Sequence, residues 1–183
     1  MALYQFRRKQ LIHASLDDVW DFISTPKNLQ EITPSDMGFE ITSPWLPKSI
    51  YAGMIISYKI QLAPFIKTTW VTEITQVKEK RYFVDEQRIG PYSLWHHQHI
   101  IRPVKDGVLM EDIVSYRPPL GFIGAFFNRI YIKRKLKQIF DFRKEALKKK
   151  FVKLKAIRRS SQPSPKLTRV MQKPINEVLY SIH

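Results

Sequence analysis

LWHHQHIIRPVKDGVLMEDIVSYR, residues Leu94–Arg117, decides how this chain folds. Two runs rich in β-branched and aromatic residues flank Asp106-Gly107, a dipeptide that tight hairpin turns prefer. Side chains alternate faces along a strand. Trp95, His97, His99 and Ile101 therefore share one face, and His96, Gln98, Ile100 and Arg102 the other. A two-residue turn at Asp106-Gly107 sets His99 opposite Val114 and His97 opposite Tyr116, with Asp112 diagonal to His99. The face holding Trp95, His97, His99, Asp112 and Tyr116 is the more aromatic and the less charged. It is expected to look inward.

Downstream, Pro118-Pro119 closes the second run and a helical pattern begins. Phe126, Ile130, Leu136, Ile139, Phe140 and Leu147 recur near the helical period, with basic residues between them. The pattern predicts one continuous helix of roughly 25 residues. Upstream, MGFEITSP, AGMIISYKIQL, IKTTWVTEITQV and RYFVDEQRI read as strands. Turn chemistry separates them at Ala63-Pro64, Lys78-Glu79-Lys80 and Gly90-Pro91. Residues 3–12 read as a first strand. Ser15 is a good N-cap for SLDDVWDFIS, with Asp17 and Asp18 in the first turn. Pro26 opens a second short helix over PKNLQEI. The sum is an α+β chain: a strand, two short helices, an antiparallel sheet of about six or seven strands in all, and a long C-terminal helix.

The chain of 183 residues suits one globular domain, expected over 1–151, with a basic, flexible tail over 152–183. SSQPSPKLTR reads as a Ser/Pro linker, and INEVLYSIH as a short helix or a flexible end. Residues 1–128 hold 14 Lys and Arg against 13 Asp and Glu, so the net charge of +15 lies almost wholly in the last third. A neutral body with a basic end is not a surface that tracks nucleic acid. No cysteine is present, which excludes disulfides, thiolate metal sites and cysteine nucleophiles. No apolar run approaches about 18 residues, and the N-terminus has no secretory h-region. A cytoplasmic protein is expected. A Gly-rich phosphate loop, an HExxH pair and a nucleophile elbow are all missing from the sequence.

The order of elements resembles the helix-grip fold of the START/Bet v 1-like (SRPBCC) superfamily, and within it the small bacterial ligand-binding SRPBCC proteins. The residues that carry the likeness are Asp85 and Gln87, Gly90-Pro91, Trp95, His97 and His99, then Asp112, Tyr116, Pro119, Gly121 and the stretch Ile139–Arg143. The likeness covers about residues 3–150. It implies a curved sheet gripping the last helix around an apolar cavity. Members bind lipids, sterols, quinones or polyketides, and some cyclise or dehydrate their ligand. Fold does not choose among these roles.

His97, His99, Asp112 and Tyr116 admit several readings. They form a satisfied hydrogen-bond cluster under the helix, or the polar end of an apolar pocket together with Trp95. Alternatively, His97 or His99 is a general acid or base with Asp112 fixing its tautomer. Zinc would need a further ligand, for which Asp85 is the one candidate, and no metal or other cofactor is expected. Tyr58, Trp70, Phe83, Phe126 and Ile130 are candidates for the apolar wall. His96, on the opposite face, is expected at the rim or in solvent. Pro118–Gly124 is either a lip at the cavity mouth or a stiff turn into the helix.

Arg129, Lys133, Arg134, Lys135, Lys137, Arg143 and Lys144, followed by Lys148, Lys149 and Lys150, make the C-terminal helix strongly basic. A solvated face is the plain reading. An anionic membrane or an acidic protein is the sharper one. The expectation is a binding protein for a small hydrophobic ligand such as a lipid, quinone or polyketide-like molecule. The alternatives are a small cyclase, dehydratase or hydrolase in the same cavity, and an interaction module with a filled core acting through its basic end.

Overall fold

In a computed structural model, which describes residues 2–63 and 66–161, the chain begins with an edge strand. This is β1 (Tyr4–Ile12), whose burial alternates along its length. Helix α1 (Leu16–Ile23) follows, capped as expected: Ser15 Oγ accepts from the Asp18 backbone N–H at 3.1 Å. Its buried residues are Val19, Trp20 and Phe22. Pro26–Ile32 forms a 3-10 helix, and Ser35–Met37 a second short one.

The sheet follows as β2 (Glu40–Ile41), β3 (Met54–Ala63), β4 (Ile66–Lys78), β5 (Tyr82–Ile89), β6 (Leu94–Val104) and β7 (Gly107–Arg117). All neighbours pair antiparallel in the order β1-β7-β6-β5-β4-β3-β2. The strand expected over MGFEITSP shrinks to two residues; at its start, Met37 ends the second 3-10 helix and Gly38 takes a left-handed conformation. Register shifts at Gln61/Ala63, Val71/Thr72 and Ile74/Gln76 mark bulges. Bulges bend a sheet, and these curve it toward the helix.

The helical part begins with α2 (Gly121–Phe127), passes through a wider π turn (Asn128–Ile132) and continues as α3 (Lys133–Ser161). The expected single helix is thus interrupted. Asn128 is buried and accepts the Tyr116 hydroxyl hydrogen bond at 2.8 Å where the wider turn starts. Leu136, Phe140, Leu147 and Phe151 are the buried apolar positions of α3. Phe6 meets Phe140 at 4.9 Å between ring centres, and Phe22 meets Phe151 at 5.8 Å. The architecture is α+β and of helix-grip type: a curved seven-stranded antiparallel sheet with a long C-terminal helix.

The chain divides into a compact unit, Met1–Phe151, and a second, Val152–His183. Residues 152–161 continue α3 as helix. The remainder of that tail, with the Ser/Pro linker beyond Ser161 and INEVLYSIH, lies outside the described residues, as does Pro64. No helix among the described residues is long and apolar enough to cross a membrane.

The β6–β7 hairpin turns one step earlier than expected. Val104 pairs with Gly107, so the two-residue loop is Lys105-Asp106. A Cβ on Gly107 would sit 2.1 Å from the Ile12 carbonyl oxygen, where the chain leaves β1. Glycine is needed there to let the backbones meet, and it begins a strand instead of completing a turn. Cross-strand partners therefore move by two residues, which preserves every face. His99 lies directly opposite Asp112, His97 opposite Val114, and Trp95 opposite Tyr116.

Candidate functional site

A cavity of about 650 Å3 lies between the inner face of the sheet, the N-terminal helices and the C-terminal helix. This falls within the range of about 300–1,000 Å3 typical of small-molecule pockets. Its wall is overwhelmingly apolar, with Ile56, Ile60 and Ile74 from the sheet facing Leu136, Ile139 and Phe140 from α3. Of the residues expected to line it, Tyr58, Trp70, Phe83, Trp95, His97, His99 and Ile130 do so.

Three do not. Phe126 is 62% exposed and points away, because the π turn sets α2 out of phase with α3. Tyr116 is buried behind Tyr92 and Trp95, pinned to Asn128, and burial pushes its hydroxyl pKa up to about 12. Asp112 sits behind the two histidines and does not reach the cavity surface. Ile130 reaches the cavity at its mouth, half exposed. Leu120, Phe127, Tyr131 and Ile66 are likewise both lining and exposed, and they mark the opening.

The polar end of the cavity is a compact cluster. His97 Nε2 is 2.9 Å from Asp112 Oδ1, and its Nδ1 is 3.3 Å from Asp85 Oδ2. His99 Nε2 is 2.7 Å from Asp85 Oδ2, and its Nδ1 is 3.1 Å from Asp112 Oδ1. The two rings lie side by side, 3.7 Å between centres, each bridging the same two carboxylates. Phe83 stacks on His99 at 4.1 Å, and Phe140 meets His97 edge-on. Strand alternation brings this about: Asp85 follows Phe83 by two residues on the inner face of β5, opposite His97 in register.

Burial disfavours the charged forms of Asp85, Asp112 and His97, yet the attraction of the opposite charges around each outweighs it. The paired imidazoles hold the Asp85 and Asp112 carboxyls well below the usual range, and the two carboxylates raise His97 above its ordinary value. With both carboxylates ionised, their oxygens are acceptors for the imidazole N–H groups that face them. Asp85, His97 and His99 offer atoms within 4.8 Å of one another and form a group able to hold a metal ion. As the cluster stands, those atoms already satisfy one another as hydrogen-bond partners.

Sequence reasoning left out two contributors. Thr72 takes a hydrogen bond from Trp70 Nε1 at 3.1 Å and shares another with the Tyr58 hydroxyl at 2.7 Å, which fixes the aromatic wall. Burial holds the Tyr58 phenol neutral, far above its ordinary pKa. Arg143, read as part of the solvated basic face, is only 9% exposed and lines the cavity. Its phase on α3 gives this away: it falls between Phe140 and Leu147, on their buried side. Its Nη1 is 3.9 Å from Asp112 Oδ1, too far for a hydrogen bond, and Nε and Nη1 are buried without partners. Of the basic surface set, Lys137 pairs with Asp141, Lys150 with Glu31, and Lys133 lies over Tyr4. Arg134, Lys148 and Lys149 are exposed and carry no ion pair among the described residues. His96 is half-buried outside the cavity, bonded to Glu86 at 2.7 Å.

Gln87 and Gly90, which carried part of the family likeness, hold the turn before β6. Gln87 bonds both the carbonyl and the N–H of Tyr92, at 2.6 and 3.2 Å. A Cβ on Gly90 would lie 2.4 Å from the Gln87 amide oxygen, so only glycine admits that clasp. The clasp sets Tyr92 and Trp95 on the cavity wall, with Trp95 edge-on to Trp70 at 5.1 Å.

No family model and no curated protein matches this sequence. Solved structures do match its fold. Norcoclaurine synthase of Thalictrum flavum, a point mutant in complex with a transition-state analogue, has a TM-score of 0.61 at 14% identity, covering 84% of this chain and 97% of that one. The di-domain ARO/CYC StfQ of the steffimycin biosynthetic pathway has a TM-score of 0.64 at 12% identity, covering 84% of this chain and 52% of that one. A protein from Thermus thermophilus has a TM-score of 0.60 at 12% identity, covering 82% of this chain and 99% of that one. These are folds of the Bet v 1-like type. Identities this low speak for the fold alone.

Proposed function

We propose that this protein binds a small, largely apolar molecule in the cavity between its sheet and its C-terminal helix. The observation that carries the proposal is the cavity itself: about 650 Å3, walled by isoleucines and aromatics, with polar groups gathered at one end. Packed protein interiors leave few voids larger than a water molecule. An interaction module acting only through its basic end needs no such space. The test is native mass spectrometry of gently purified full-length protein, then solvent extraction of whatever is bound. A stoichiometric apolar molecule is the expected result. A bare mass that stays bare after exposure to a mixture of lipids and quinones counts against the proposal.

Acid–base chemistry is the second reading, favoured by His97, His99 and Asp85 lining the cavity. Under it, His99→Gln loses turnover of a bound ligand and keeps binding; a ligand recovered unchanged after prolonged incubation with the wild type argues against it.

The route into the cavity also has a candidate surface. Leu120, Phe122 and Phe126 are 73%, 85% and 62% exposed, beside a mouth lined by Phe127 and Ile130. Arg129, Lys133 and Arg134 follow on the same helical segment. An apolar patch next to cations matches an anionic bilayer surface, each basic residue adding about 1 kcal/mol there. Vesicles containing phosphatidylglycerol are expected to sediment the protein, and Phe122→Ser with Phe126→Ser to release it. Equal sedimentation of the double variant, or capture by an acidic protein in place of vesicles, would point elsewhere.

A further inference from the structure

Arg143 is the one side chain of the cavity whose hydrogen bonding is left open. It is nine-tenths buried, yet its Nε and Nη1 have no acceptor, and its one carboxylate neighbour, Asp112, stays 3.9 Å away. Asp112 Oδ1 is already engaged by His97 and His99, and Asp85 Oδ2 by the same two rings. The carboxylates are thus committed to the imidazoles. Beside the long ion-pair contact to Asp112, the guanidinium lies over the face of Phe140, 4.9 Å from Cζ to the ring centre, and its Nε and Nη1 keep no hydrogen bond. A buried cation without a hydrogen-bonded anion costs stability, and proteins pair it or coordinate it. Nothing else among the described residues supplies that acceptor.

We propose that the ligand supplies it: an amphiphilic carboxylic acid whose carboxylate pairs with Arg143 and whose apolar body lies along Ile56, Ile74 and Ile139. This rests on the cavity being a binding site, and it names the class of molecule bound. The planar guanidinium matches a carboxylate with two parallel hydrogen bonds, which an ammonium or a neutral donor does not. Inside an apolar cavity the attraction is screened less than at a surface. An alcohol of the same length offers a single neutral oxygen and leaves the cation without a counter-charge.

The test is titration calorimetry of the full-length protein at neutral pH with decanoic acid, decanol and decyltrimethylammonium. The acid is expected to bind about tenfold or more tightly than the alcohol, the worth of one charge-assisted pair. The cation is expected not to bind measurably. Arg143→Gln should bring acid and alcohol to one affinity, and Arg143→Lys, which keeps the charge without the fork, should fall between. Equal affinities for acid and alcohol in the wild type overturn the inference and leave the binding site standing. Binding of none of the three, in the wild type, overturns both. That wild-type ratio needs no variant, so a poorly folding Arg143→Gln chain does not shelter the claim.

Discussion

His97 and His99 each turn both ring nitrogens toward carboxylate oxygens, and His97 with the two carboxyls sets how the cluster responds to pH. Burial opposes protonation of His97, but Asp85 and Asp112 outweigh it, so its folded pKa lies above 6.5. Such a group stabilises the fold fully below its unfolded value, and the contribution is lost as pH rises through the raised one. The carboxyls work in the opposite sense. Burial opposes their charge, the imidazoles outweigh it, and both titrate below 3.8. Their contribution is present above that value and lost as pH falls through the lowered ones. Melting temperature is therefore expected to peak between about pH 4 and pH 6.5 and to fall on the alkaline side. His97→Gln should flatten the alkaline limb. A melting temperature that climbs from about pH 6 to about pH 9 in buffers of equal ionic strength would contradict this. Asp112→Ala, which strips both imidazoles of an acceptor, should cost about 3–5 kcal/mol. Arg143→Met should behave otherwise, holding or raising stability in the absence of ligand by up to about 2 kcal/mol, since it removes a buried cation that has no hydrogen bond. A large loss of stability in that variant would mean that the cation holds the cluster together.

At the scale of elements, the β6–β7 hairpin shows what a sequence does and does not carry. Alternation placed Trp95, His97 and His99 on the inner face, and any two-residue slip preserves that parity. The loop itself was misplaced by one residue, because Gly107 answers to the Ile12 carbonyl from another strand, a contact no local pattern contains. Gly107→Ala puts a Cβ 2.1 Å from that oxygen and is expected to cost about 2 kcal/mol or more in chemical denaturation. A neutral result would mean that the β1 exit is free to move. The C-terminal helix teaches a related lesson. Counting from Leu136, the helical period places Phe140, Arg143, Leu147 and Phe151 on one side, so Arg143 was legible as buried. Its charge drew it into the basic face instead. Carrying the helical period backward through Asn128–Ile132 puts both Ile130 and Phe126 inward; Ile130 does line the cavity, but the π turn breaks the period and Phe126 faces away. Nothing in the residues from 126 to 132 announces that turn. Its partner, Tyr116, is on a strand.

For the whole molecule, the sequence made the helix-grip architecture legible because each part of it is a local pattern: one capped helix, seven strand-like runs and one long amphipathic helix. The cavity was not legible in that way. Its wall residues are ordinary core types, and the space between the curved sheet and α3 follows from how distant elements meet, which no local pattern contains. The central claim is that this space takes up an apolar ligand. Trp70 and Trp95 stand on its wall, while Trp45 is exposed and Trp20 lies outside it. Bromine quenches tryptophan only at contact, so titration with ω-bromodecanol and the matching acid reads the claim directly. Saturable quenching at one equivalent is the predicted result, with the effect abolished when Trp70 and Trp95 are both replaced by Phe. Quenching that never saturates, or that persists undiminished in the doubly substituted protein, would contradict it.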